Sequence, residues 1–191
     1  MKWIVNETDS DGIPKGNMAR MIDTVFSSAI DELGLKDAAQ NIFVTYKLSL
    51  SEVGSAGAKV LAAVGSTWDP SEDLQMRIAI GPRLQILRGI SHEMVHVHQS
   101  VRGDLGLYRD EEKLEIGTKW KGKPWKEPSK GQMFIEAILE GSGPRELQQK
   151  LYRSQPWEAE AFEKMDRLAV KAFDRLSFED KIWVFGEGEE G

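Results

Sequence analysis

Two of the three histidines in this 191-residue chain stand four residues apart, with a glutamate directly after the first: His92-Glu93-Met94-Val95-His96. On a helix, residues at that spacing lie one turn apart on one face, so two imidazole nitrogens can converge on one metal ion. Glu93 sits beside the first ligand rather than over it. From there its carboxylate can reach a water on the metal and take its proton, which is the arrangement of a zinc hydrolase. A pattern with three fixed positions also arises by chance on surface helices, but this one lies among apolar residues on a helix that should be core. His98, two residues past His96, points well away from the metal face and reads as a hydrogen-bonded core histidine near the site rather than a ligand.

The motif needs a helix, and its surroundings predict one over residues 82–102. Pro82 suits the first helical position, and Gly103 follows Arg102 as a left-handed stop. Ile90, Met94, Val97 and Val101 recur at helical spacing and form a buried stripe distinct from the histidine face. His92 and His96, with Gln99 a candidate beside them, make the metal face. Gly89, one turn before His92, leaves space near that face for substrate or a crossing helix.

A zinc hydrolase needs a third protein ligand and an open fourth position for water. No histidine follows His98 and the chain has no cysteine, so the third ligand must be a downstream acid. The best candidate lies in Pro156-Trp157-Glu158-Ala159-Glu160-Ala161, at the start of a helix expected to run from Pro156 to about Leu176, with Ser154 as its cap. The helix dipole favours an ionised carboxylate in that first turn, and the anion is the form that binds metal. Glu158 shares a face with Ala161, whose small side chain lets the two helices approach closely. Ala161, Met165, Leu168 and Ala172 continue the apolar stripe. Glu160 points about 200° from Glu158, so one of the pair is the ligand and the other either supports the ligands from behind or faces solvent. Glu158 is the choice.

The remaining elements supply the scaffold. Residues 17–33 carry apolar side chains at helical spacing and end at Gly34. Ile42, Val44, Tyr46, Leu48 and Leu50 alternate, residues 59–64 form a short apolar run, and Leu74, Met76, Ile78 and Ile80 alternate again. These predict three strands, with turns at residues 54–57 and 69–71. A sheet just before the metal helix either holds an extended peptide at its edge or merely covers the helix. Residues 109–113 read as a solvated loop. Trp120-Lys121-Gly122-Lys123-Pro124-Trp125-Lys126 interleaves basic and aromatic residues, the local look of a nucleic-acid contact, but a short hairpin with a glycine turn explains it more simply. Residues 133–140 and 144–153 predict two short helices.

The totals bound the function. The 191 residues, 40% hydrophobic, fit one globular domain, with no internal repeat and no linker. A net charge of −6 argues against general nucleic-acid affinity. No apolar run is long enough to span a bilayer, and the N-terminal residues do not form a signal peptide. The absence of cysteine excludes disulfides and a thiol nucleophile and fits a reducing compartment. The reading is a soluble, cytoplasmic protein.

The H-E-x-x-H motif at residues 92–96, followed much later by Glu158-Ala159-Glu160-Ala161, resembles the gluzincin metallopeptidases. More narrowly, His92-Glu93-Met94-Val95-His96-Val97-His98-Gln99 with Pro156-Trp157-Glu158-Ala159-Glu160-Ala161 resembles small, often phage-encoded metallopeptidases described as SprT-like; a phage origin would place the protein in the host cytoplasm. The resemblance covers the two motifs and their order. Phe162 stands where many gluzincins carry aspartate, and the third histidine common in SprT-like proteases is absent after His98. The resemblance implies an α+β, zincin-like domain: a small, mostly antiparallel sheet packed on the H-E-x-x-H helix, with a mainly helical C-terminal half. It also implies Zn2+ on His92, His96 and Glu158, Glu93 as the catalytic base, and a peptide or protein substrate. Tyr152 and Tyr108 are candidate donors to the oxyanion formed on the peptide carbonyl. The alternative expectation is a noncatalytic module that the metal stabilises.

Overall fold

The structure, a computed structural model, describes residues 1–47, 58–62, 73–110, 115–125 and 143–186. In chain order the elements are β1 (Lys2–Val5), α1 (Gly16–Glu32), β2 (Asn41–Lys47), β3 (Ala58–Ala62), β4 (Leu74–Ala79), α2 (Arg83–Val101), β5 (Leu105–Asp110), β6 (Glu115–Trp120), β7 (Lys123–Pro124), α3 (Pro144–Ser154), α4 (Pro156–Arg175) and α5 (Phe178–Phe185). The turns expected at residues 54–57 and 69–71 and the helix expected over residues 133–140 lie outside the described residues.

The larger sheet has the order β1-β2-β4-β3. Alternation places Ile42, Val44 and Tyr46 of β2 opposite Leu74, Met76 and Ile78 of β4, and all six are buried. This apolar face joins one core with Met21, Ile22, Val25 and Phe26 of α1 and Ile86, Ile90, Met94 and Val97 of α2. Trp3 of β1 stacks on Phe26 at 5.5 Å between ring centroids, fastening the edge strand to α1.

The expectation of a mostly antiparallel sheet needs correction. β1 and β4 both run parallel to β2, and only β3 runs antiparallel, at the far edge. The difference has two causes. β1 is a four-residue strand alternating between exposed and half-buried positions, and its sequence, one lysine followed by three apolar residues, is too short and has no polar–apolar alternation to announce a strand by period. Strand direction is also absent from a two-residue repeat, which looks the same in either orientation. Once β1 is a strand, α1 becomes the crossover that a parallel β1-β2 pair requires.

A second sheet, β5-β6-β7, is antiparallel. It places Arg109 and Asp110 in a strand rather than in the expected loop. The hairpin expectation for the basic-aromatic stretch agrees with the β6–β7 pairing, which turns through Lys121 and Gly122 at φ of 48° and 78°.

Helix ends follow the local chemistry. Gly103 takes φ of 71°, with Asp104 N–H donating to the Gln99 carbonyl at 2.9 Å and Gly103 N–H to the Ser100 carbonyl at 2.9 Å, a paired closure of α2. Pro82 is the N-cap, one position before its expected place, and Arg83 begins the helix. At α4 the expected Ser154 cap is displaced. Gln155 caps the helix with extended backbone, because Pro156 disfavours a helical residue before it, while Ser154 Oγ donates to the Leu151 carbonyl of α3. Ser177 Oγ caps α5 by accepting from Asp180 N–H, and Arg20 of α1 holds the Asp180 carboxylate at 2.7 Å. No helix among the described residues is long and apolar enough to cross a membrane.

Met94 lies on the core side of α2 and is fully buried. Met94→Ala should cost about 2–5 kcal/mol in urea unfolding, and a loss below about 1 kcal/mol would mean that this side of α2 is not held by the core.

Candidate metal centre

Helix α2 is covered on nearly every side, with thirteen residues from Ile86 to Ser100 buried. Its Ile90, Met94 and Val97 enter the main core, whereas Val95 packs with Ala161 and Leu168 of α4. Ala161 is fully buried, so α2 and α4 meet over a side chain of one carbon. Both helices place polar groups at this dry contact: His92, Glu93, His96 and Gln99 from α2 and Glu158 from α4, each less than a tenth exposed.

The expected ligands come together. His92 Nε2 lies 3.1 Å from Glu158 Oε2 and 3.2 Å from His96 Nε2, and His96 Nε2 lies 3.3 Å from Glu158 Oε1. One ligand atom from each residue falls within 4.8 Å of the others, and this buried group could hold a metal ion. The two imidazoles meet edge to face, 4.8 Å between centroids. Gln99 accepts from His96 Nδ1 at 2.8 Å through Oε1, and its Nε2 donates to the Trp157 carbonyl at 3.0 Å and to Glu160 Oε2 at 3.4 Å.

Electrostatics follow from this pairing. Burial pushes the Glu158 carboxyl up, but hydrogen bonds from His92 and His96, the His96 charge and a hydrogen bond from Tyr152 outweigh it and hold the group at about 2. Burial alone would lower His96. The hydrogen bond to Glu158, the charges of Glu93 and Glu158 and the bond to Gln99 together leave it raised. Glu93, 6% exposed, is thus close enough to act on His96.

The surrounding residues fall largely where the sequence reading puts them. Glu160 stands outside the ligand group, paired with Lys164. His98 is half-buried and outside it as well, and its Nδ1 has no hydrogen-bond partner among the described residues. Tyr152, on α3, donates to Glu158 and so reaches the site, and burial together with that bond pushes its phenol far above the usual range. The Tyr108 side chain, in β5, lies outside the described residues. Phe162 packs its ring 4.7 Å from His92, with Arg153 over the same ring at 4.7 Å.

A buttress was not foreseen. Trp120 and Trp125 of the β6–β7 hairpin pack on Trp157, the residue before Glu158, at 6.3 and 5.6 Å between centroids. The interleaved tryptophans of the sequence were the available signal, and in the folded chain these indoles support the first turn of α4.

No family model matches the chain, and neither a curated protein nor a solved structure matches it.

Glu158, held below its ordinary value, contributes stability that is present above the normal carboxylate range and lost as pH falls toward about 2. His96, held above its ordinary value, contributes stability present below the normal imidazole range and lost as pH rises through the raised value. Thermal unfolding of chelator-treated protein should show both limbs, and Glu158→Gln should flatten them. An unchanged pH profile in that variant would contradict the pairing.

Proposed function

We propose that the chain is a zinc-dependent metallopeptidase, with His92, His96 and Glu158 holding the ion and Glu93 acting as general base. One observation carries the reading, the spacing of the three donor atoms. Two ligands each about 2.0–2.1 Å from a tetrahedral ion stand about 3.3 Å apart. The two imidazole Nε2 atoms stand 3.2 Å apart, His92 Nε2 lies 3.1 Å from Glu158 Oε2 and His96 Nε2 3.3 Å from Glu158 Oε1, and one ligand atom from each of the three residues lies within 4.8 Å of the others. Three ligands leave the fourth vertex for water, as catalytic rather than structural zinc sites do. Two neutral imidazoles and one carboxylate also leave net positive charge on a divalent ion.

When bound, the ion supplies Lewis acidity, acidifying a water molecule and polarising a peptide carbonyl. Glu93, one residue past His92 and buried with the ligands, takes the proton of the attacking water and passes it to the leaving amine. Tyr152, kept protonated by its raised pKa and already directed at Glu158, donates a hydrogen bond to the oxygen that gains charge. The resemblance to gluzincin and SprT-like peptidases agrees with these roles. Phe162 departs from that pattern by packing an apolar ring on His92 where a carboxylate would accept a hydrogen bond. A cysteine-free cytoplasmic enzyme acting on peptide or protein substrates fits the composition.

Glu93→Gln should retain the metal and the melting temperature of the metal-loaded wild type while cleaving an unfolded protein substrate at least about 100-fold more slowly. Equal cleavage by the variant would remove Glu93 from the chemistry. Zinc in the wild type without hydrolysis of any unfolded substrate would favour the metal-stabilised, noncatalytic reading.

A further inference from the structure

We infer that Gln99 is the positioning residue of the metal centre: its amide fixes His96 in the tautomer whose Nε2 lone pair faces the site and ties that histidine to the helix carrying Glu158. The inference rests on the assignment of His96 as a ligand and adds to it the group that orients this ligand.

Gln99 is 0% exposed, so each polar atom of its amide must find a partner inside the protein. The Trp157 carbonyl can only accept, so the amide nitrogen must be the atom that faces it at 3.0 Å. That choice turns Oε1 toward His96 Nδ1, 2.8 Å away. An amide oxygen can only accept, so Nδ1 carries the proton. A neutral imidazole has one proton, so in the neutral, metal-binding form of His96 it is Nε2 that gives up the proton it otherwise donates to Glu158, and its lone pair then faces His92 and Glu158. One backbone carbonyl on α4 thereby sets the tautomer of a side chain on α2.

The same amide links the two halves of the site. Trp157 immediately precedes Glu158, so the carbonyl that orients Gln99 belongs to the turn that presents the third ligand. The second amide hydrogen is directed at Glu160 Oε2, 3.4 Å away, and Glu160 is itself held by Lys164. The acid that competed with Glu158 for the ligand role thus becomes an anchor for Gln99. His92 has no equivalent support. Its Nδ1 is buried without a partner among the described residues, beside the Phe162 ring. Among the described residues, the Gln99 contact is thus the hydrogen bond that holds a histidine of the pair by its Nδ1 side.

The test is zinc affinity, measured by competition with a chromophoric chelator, for wild type, Gln99→Met and Gln99→Glu. Methionine keeps the length and removes the acceptor; glutamate restores the acceptor and lacks the amide donor. Gln99→Met should bind zinc about 10- to 100-fold more weakly, with Gln99→Glu recovering affinity to within a few-fold of wild type. Wild-type affinity in Gln99→Met, or equal weakening in both variants, would overturn the assignment while leaving the metal site standing. No zinc binding by the wild type would overturn both. Should Gln99→Met fail to fold, long-range nitrogen–proton correlation spectra of metal-free wild type, at a pH where His96 is neutral, decide the matter. A proton on His96 Nδ1 supports the inference, and a proton on Nε2 overturns it.

Discussion

The approach of α2 and α4 over Val95 and Ala161 is the constraint on which the site depends. It brings two imidazoles and a carboxylate into a dry interface, where an isolated charge would cost several kcal/mol. These groups stay polar because they face one another: the two histidine Nε2 atoms meet, and each faces one of the Glu158 oxygens. A larger residue than alanine at 161 would hold the helices apart and leave each of these groups buried without its partner.

The rest of the molecule fixes that approach. The parallel β1-β2-β4 core and α1 grip the apolar side of α2, so the histidine side is left for α4. Tryptophans from the second sheet press on Trp157 and steady the first turn of α4, and the extended backbone at Gln155 lets that helix start where Glu158 falls in its first turn. The α2 helix therefore has no solvent-facing side of ordinary kind. This explains why its sequence mixes a core stripe with polar residues that are equally buried.

Much of the site was legible because helical periodicity is a local property. The four-residue spacing of His92 and His96, the face shared by Glu158 and Ala161, and the opposed direction of Glu160 all follow from 3.6 residues per turn, and the structure groups and separates these residues accordingly. What the sequence hid was pairwise and long-range. Strand direction leaves no trace in the alternation of Ile42, Val44 and Tyr46, so the parallel sheet was read as antiparallel. The Gln99 bridge needs Trp157 to be near, and Trp157 is remote in sequence. The hairpin that carries Trp120 and Trp125 is legible in its glycine turn, but their packing on Trp157 is not, because that neighbour is remote in sequence.

The most direct test of the central claim is metal content by elemental mass spectrometry on protein purified without chelator, with Glu158→Ala and Glu160→Ala alongside. The predicted result is about one zinc per chain in wild type and in Glu160→Ala, and none in Glu158→Ala. Wild-type protein that takes up no metal even after zinc is added, or that loses it through Glu160→Ala and keeps it in Glu158→Ala, would contradict the account.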